Sequence, residues 1–193
     1  MPFPLIKRES KYTYKDYLSW PDDESWELIN GIAYDMTLAP SRTHQKISRE
    51  LLTIFNTFLS GKKCEVYNAP FDVRLPESNE SDNEIMTVVQ PDILVVCDKS
   101  KLDDRGCKGV PDLIIEILSP STIHKDMREK FLLYERVKVK EYWIVHPGDR
   151  TVMVFMLEQD AGYRKPDIYF DEDKIRVGIL EGFEIDLKYV FKE

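Results

Sequence analysis

Apolar residues recur at helical spacing between Ser41 and Leu59, where Ile47, Leu51, Ile54, Phe55, Phe58 and Leu59 line one face. Ser41 is placed to cap that helix and Gly61 to end it. A second helical stretch, His124–Val137, puts Met127, Lys130, Phe131, Tyr134 and Val137 on one side. Elsewhere the period is two. Trp26–Ile29 and Ile32–Tyr34 flank Asn30-Gly31, the signal of a two-residue hairpin turn, and Glu27, Ile29, Ile32 and Tyr34 then share a face. Glu65–Leu75 reads as extended and Val88–Cys97 as a strand. Asp112–Leu118 and Glu141–His146 read as buried strands, and Thr151–Leu157 follows after a Pro147-Gly148-Asp149 turn. A helix followed at once by a strand implies a crossover back into the same sheet.

The remaining stretches are shorter. Tyr12–Leu18 is expected to be a first helix capped by Thr13. Pro76–Thr87 and Asp98–Val110 read as polar loops, the first joining two antiparallel strands. Ser119-Pro120-Ser121-Thr122 stops the Asp112–Leu118 strand and offers capping hydroxyls. Tyr163–Phe191 reads as short strands with a turn at Gly182, finishing the sheet or forming a dimer surface. Together these elements predict an α/β (α+β) protein: a mixed central sheet flanked by helices in the order α-β-β-β-α-β, with an N-terminal hairpin and C-terminal strands.

Composition narrows the class. At 193 residues one domain covering 1–193 is expected. Hydrophobic content of 42% with 32% charged residues fits a globular chain, and no apolar run is long enough to cross a bilayer. The N-terminal Met1-Pro2-Phe3-Pro4-Leu5 lacks a signal-peptide pattern. Cys64, Cys97 and Cys107 make no CxxC pair, so reduced thiols in a cytoplasmic protein are expected. The three histidines do not suggest a zinc cage. The net charge of −8 excludes passive, whole-surface binding of nucleic acid. DNA binding would need a local patch, with Lys7, Arg8, Lys11, Arg42, Lys62, Lys63, Lys125 and Arg128 as candidates.

Two acids stand where apolar strands should be buried: Asp92 opens Ile93-Leu94-Val95-Val96, and Glu116 interrupts Leu113–Leu118. Burying a carboxylate is costly unless a cation meets it. A divalent metal, magnesium or manganese, is one such partner, and Lys130 is another. Two carboxylates on neighbouring strands with a metal and a nearby lysine have the equipment for phosphodiester hydrolysis. Each residue also has a plainer use. Lys130 could simply pair with Asp126 at i, i+4, worth about 0.3 kcal/mol. His44, on the apolar side of its helix, could be a hydrogen-bonded core residue. Glu27 could sit on a solvated strand face, and Asp72 could pair with Arg74 at the surface. Glu27, His44 and Asp72 are therefore secondary site candidates beside Asp92, Glu116 and Lys130.

Pro91-Asp92, then Glu116-Ile117-Leu118-Ser119-Pro120-Ser121-Thr122, Asp126, Lys130, Tyr134 and Glu141-Tyr142-Trp143 resemble the PD-(D/E)xK nuclease superfamily. More closely, the chain is similar to the Uma-two family of restriction-endonuclease-type proteins, also known as a domain of unknown function. The likeness extends back through Phe71-Asp72-Val73-Arg74-Leu75, His44 and Glu27-Leu28-Ile29-Asn30-Gly31. It implies a restriction-endonuclease-like fold, metal binding at Asp92 and Glu116, DNA as substrate and, by analogy with two-strand cleavage, a homodimer. The superfamily's lysine, two residues after the glutamate, would fall on Leu118, so Lys130 reads as a relocated replacement. His146 before Pro147 stands where family members often carry an acid. A non-cleaving nuclease-fold module that binds nucleic acid or assembles is the alternative.

Overall fold

The computed structural model describes residues 6–7, 11–21, 23–36, 39–120, 125–158 and 161–192. In chain order the elements begin β1 (Ile6–Lys7), α1 (Tyr14–Tyr17), β2 (Trp26–Ile29), β3 (Ile32–Asp35), α2 (Arg42–Leu59), β4 (Glu65–Asn68), β5 (Val73–Arg74) and β6 (Val88–Val89). They continue with β7 (Ile93–Val96), β8 (Leu102–Asp103), β9 (Gly106–Lys108) and β10 (Leu113–Ile117). A π-helical segment, Lys125–Lys130, runs into α3 (Phe131–Arg136), followed by β11 (Glu141–His146) and β12 (Thr151–Glu158). The chain closes with β13 (Gly162–Tyr163), β14 (Asp167–Phe170), β15 (Lys174–Arg176), β16 (Glu184–Asp186) and α4 (Leu187–Val190).

Two larger sheets result. One has the order β1-β3-β2-β6-β5-β9-β8. The other runs β4-β7-β10-β11-β12, with β13 and β14 both paired to β12. β10 and β11 pair in parallel from Leu113–Glu141 to Ile117–Val145, as the expected crossover requires. The α-β-β-β-α-β order and the hairpin at Asn30-Gly31 are both present. Asn30 and Gly31 have φ of 52° and 81°, the positive values that a type I′ turn demands.

Alternation along the second sheet sorts its side chains onto two faces. Ile93, Val95, Leu113, Ile115, Ile117, Trp143 and Val145 pack with Ile47, Leu51 and Phe55 of α2 and with Leu187 and Val190 of α4. Leu94, Val96, Ile114, Leu118, Tyr142 and Ile144 pack on the other side with Leu133 and Tyr134 of α3. Ile29, Val73 and Val89 of the first sheet join that second cluster. Each fully buried aliphatic side chain contributes about 1.5–3 kcal/mol, so the frame readily holds a few charged groups in place. By parity Glu116 belongs to the face covered by α3 and the first sheet.

Several expectations need correcting. Val88–Cys97 is not one strand: β6 lies in the first sheet and β7 in the second, and Gln90-Pro91-Asp92 crosses between them. Proline cannot donate to a ladder, which favours a break there. Asp98–Val110 is not all loop; it carries β8 and β9. Cys64 and Cys97, expected to be reduced thiols, form a disulfide. They flank the paired ends Glu65 and Val96 of β4 and β7, which brings their Cα atoms to 3.9 Å. The second helix begins as a π-helix, so its phase is shifted and Met127 is exposed rather than inside. Ser121, Thr122 and His124 lie outside the described residues. No described helix is long and apolar enough to cross a membrane.

Candidate active site

Asp92 and Glu116 meet because β7 and β10 are antiparallel. Their last register pair is Ile93–Ile115, and the next step along each strand is Asp92 and Glu116. Asp92 Oδ2 accepts the Ile117 backbone N–H at 2.7 Å. His44 Nε2 lies 3.2 Å from the same oxygen. His44 is in the first turn of α2, where its own N–H is capped by Ser41 Oγ at 3.2 Å. The cap fixes where the helix starts and hence which residue faces Asp92. Of the two readings of His44, the structure places it against Asp92, 7% exposed, with Nδ1 buried and unpartnered.

Glu116 is held from the opposite side. Lys130 Nζ donates to its Oε1 at 2.8 Å and Tyr134 Oη donates to the same atom at 2.7 Å. Lys130 also lies 2.7 Å from Glu27 Oε1, and Lys125 Nζ donates to Glu27 Oε2 at 2.6 Å. The Gln90 backbone N–H adds a bond to Glu27 Oε1 at 2.8 Å. In a π-helix, residues five apart align, so Lys125 and Lys130 come to the same carboxylate. Tyr142 Oη fixes the segment by donating to the Asp126 carbonyl at 3.1 Å.

Two of the plain readings therefore fail. Lys130 is not a surface partner of Asp126: it is 1% exposed, and the Asp126 carboxylate, at 3.8 Å, is farther than either glutamate. Glu27 is not solvated, being fully buried. The first sheet, laid across the second, excludes water from a strand face that its own alternation leaves open to either assignment. Leu118 is buried in the core, and the amine reaches Glu116 from the helix instead. Asp72 is not part of this cluster and does not pair with Arg74. Its Oδ1 accepts from Tyr17 Oη at 3.0 Å and from Gln90 Nε2 at 2.9 Å. Arg74 instead donates to Asp82 and Asp103.

The basic candidates do not form one patch. Lys125 is buried on Glu27, and Arg8 lies outside the described residues. Arg42 and Lys62 flank opposite ends of an 18-residue helix, about 27 Å apart at 1.5 Å per residue. Lys125 and Gln90 are the site residues that sequence reasoning missed. A signal for Lys125 existed in the five-residue interval to Lys130, but that interval has meaning only once the segment is known to be π-helical.

Among the described residues, acids outnumber bases in this cluster. Glu27, Asp92, Glu116 and Asp126 face Lys125, Lys130 and His44. Burial raises the Glu27 pKa, but Lys125 and Lys130 more than offset it and hold the group below the usual carboxylate range. Glu116 takes the opposite course. Burial pushes its pKa well above that range, and Asp126, Asp92 and Glu27 add to the rise against the pull of Lys130. Burial lowers the Lys130 pKa, yet Glu116, Glu27 and Asp126 carry it well above the ordinary lysine value. For His44, burial favours the neutral ring, and the Asp92 contact overrides it to raise the pKa.

These features suit a hard cation. Asp92 and Glu116 each have one oxygen fixed by protein donors, while Asp92 Oδ1 and Glu116 Oε2 accept no hydrogen bond among the described residues. Among those residues, no three His, Cys, Asp or Glu side chains form a ready-made metal cage. Magnesium is content with one or two carboxylates and several waters, so a two-carboxylate site fits it better than zinc.

A model of the Uma2 family, described as "Putative restriction endonuclease", matches residues 14–188. An uncharacterized protein of Synechocystis sp. is 31% identical over 165 residues, spanning 84% of this chain and 80% of that protein. A crystal structure described as "a putative nuclease belonging to DUF820" from Anabaena variabilis superposes with a TM-score of 0.72 at 18% identity. That match covers 93% of this chain and 97% of the other.

Proposed function

The chain belongs to the Uma2 family, and on that premise we propose that it is a metal-dependent endonuclease that hydrolyses phosphodiester bonds in DNA. The observation that carries this reading is the pair Asp92 and Glu116 on adjacent strands, each with one oxygen tied down and one available, and Lys130 on the second. Asp92 and Glu116 would hold magnesium or manganese. Such an ion polarises a phosphodiester and lowers the pKa of a bound water. His44 and the Ile117 N–H orient Asp92. Tyr134 and Lys130 orient Glu116, and Lys130 would hold a positive charge beside that carboxylate to offset negative charge developing on a bound phosphate. Glu27 anchors both lysines. The same reading carries a homodimer, since cutting both strands of a duplex uses two such sites.

One observation favours a second reading. Lys130 is 1% exposed and already committed to Glu27 and Glu116, as a purely structural ion network would have it. A nuclease-fold module that binds nucleic acid or assembles without cutting would keep such a network. Cleavage of plasmid, linear duplex and single-stranded DNA with magnesium or manganese separates the two. Metal should raise the melting temperature by mass action, and Asp92→Ala should abolish that shift. Lys130→Ala, assayed where circular dichroism reports it folded, should retain metal binding and lose about a hundredfold or more in cleavage rate. Lys130→Arg should rescue poorly, because a planar fork does not replace a compact point charge. Calorimetry without metal binding at millimolar concentration would remove the basis for the nuclease reading.

A further inference from the structure

A cleft of about 270 Å³ opens beside the candidate active site, lined by Phe71, Asp72, Gln90 and the Asp104-Arg105 turn between β8 and β9. Gly106 closes that turn at φ 117°, and a Cβ there would sit 2.2 Å from the Asp72 carbonyl oxygen. Glycine lets β9 come this close, and the Cys107 N–H then donates to that carbonyl at 2.8 Å. The cleft and the metal-site acids share chain. Gln90 stands two residues before Asp92, a reach of at most about 7 Å. The Ala69 N–H, two residues before Phe71, donates to the Asp92 carbonyl at 3.2 Å. A strand with a phosphate at Asp92 therefore passes within a nucleotide's reach of the cleft.

The polar groups of the cleft have a defined sense. Asp72 Oδ1 accepts from Tyr17 Oη and from Gln90 Nε2, and Gln90 Nε2 also donates to Tyr17 Oη at 3.1 Å. A carboxylate only accepts, so the amide presents its nitrogen here and both of its N–H bonds are spent. Asp72 Oδ2 and Gln90 Oε1 remain, and neither accepts a hydrogen bond among the described residues. Arg74, the nearest basic residue in sequence, is engaged with Asp82 and Asp103 instead. Phe71 adds an apolar wall, half-buried and stacked on Tyr67 at 4.3 Å. Arg105, exposed, is the basic residue of the lining, placed to take a phosphate of the same strand.

The cleft is smaller than the roughly 300–1,000 Å³ of drug-sized sites and suits one planar ring system. Its occupant must stack on an aromatic ring and bring N–H donors to two acceptors. Adenine, cytosine and guanine carry an exocyclic amine, and guanine presents two adjacent donors on its pairing edge. Thymine has no amine and flanks its single N–H with carbonyl oxygens, which a carboxylate repels. In a duplex the pairing edge is taken by the complementary base, so the base read here is unpaired. We infer that this cleft is a subsite for an unpaired, amine-bearing nucleobase, read by Asp72 and Gln90 and adjacent to the phosphate that is cut. This rests on the nuclease reading above and adds the base and the strand state that reading leaves open.

Binding of free nucleosides tests the subsite without metal or cleavage. Millimolar deoxyguanosine should shift the Gln90 side-chain amide resonances of the isotope-labelled full chain, and thymidine should not. Asp72→Asn keeps the oxygen that Tyr17 and Gln90 hold and puts an N–H donor where the free acceptor was. Where circular dichroism reports it folded, this variant should bind deoxyguanosine about tenfold less tightly. With magnesium, single-stranded oligothymidylate carrying one deoxyguanosine should be cut beside that nucleotide, and plain oligothymidylate more slowly. Equal shifts with both nucleosides, or none with either, would overturn the subsite on the wild-type chain alone, as would deoxyguanosine binding unchanged by Asp72→Asn. Shifts selective for deoxyguanosine without cleavage of any strand would support the subsite and overturn the nuclease reading. Cleavage indifferent to the guanine would support the nuclease and overturn the subsite.

Discussion

Glu27 illustrates how a single residue can be misjudged from its neighbours. In an alternating strand an acid is solvated by default, and nothing in Trp26-Glu27-Leu28-Ile29 says that a second layer will cover it. What the strand conceals is the pair of ammonium groups that arrive from residues 98 and 103 positions later. Glu27→Gln would leave Lys125 and Lys130 buried with one carboxylate fewer. Breaking a buried ion pair typically costs about 3–5 kcal/mol, and urea unfolding should register a loss of that order. Asp92 and Glu116, by contrast, were legible because a carboxylate inside an apolar run is conspicuous. So was the pairing of Lys130 with Glu116, although the sequence placed no third partner between them. Asp72 was not legible as the Tyr17 and Gln90 partner, because those contacts span the fold.

Among the elements, those with a strong period were readable: α2, the β2–β3 hairpin, β10 and β11 all lie where the pattern put them. Elements of two or three residues, such as β8 and β9, exist only through their pairing partners and leave no period to read. The Lys125–Lys130 segment fell between these cases. It was recognised as helical, but an α-helical phase put Met127 inside and left Lys125 as a surface candidate for a basic patch. The five-residue interval makes a test possible. Inserting an alanine after the exposed Arg128 would lengthen it to six and turn one lysine away from Glu27. The lengthened protein should unfold at lower urea than the wild type, with a loss resembling that of Glu27→Gln. Unchanged stability would mean that the π-turn is incidental to the ion cluster.

For the whole molecule, the site draws on both large sheets, since Glu27 belongs to one and Asp92 and Glu116 to the other or its edge. The first sheet has its own charged tie. Arg74, fully buried, donates to Asp82 Oδ2 at 2.7 Å and Asp103 Oδ1 at 2.6 Å, tying the Asp82–Glu84 turn to β8. The Lys108 bond, with Arg74, holds Asp82 below its usual pKa, and the Arg74 bond does so for Asp103. Carboxylates lowered on folding add stability above the unfolded value of about 3.9, and that contribution fades as pH falls through their lower folded values. The melting temperature should therefore drop below about pH 4. In Arg74→Met the drop should be shallower, as thermal unfolding across pH 3–7, roughly the range of these carboxylates, would reveal.

The double engagement of Glu27, one oxygen on each lysine, also constrains how such a chain can diverge. Replacing Glu27 strands Lys125, and replacing either lysine leaves one Glu27 oxygen without its cation, whereas exchanging Lys125 and Glu27 together for uncharged residues of like volume leaves Lys130 paired with Glu116. The three positions thus behave as one heritable unit. Drift that reaches one of them is trapped until a compensating change arrives at another, more than ninety residues away along the gene.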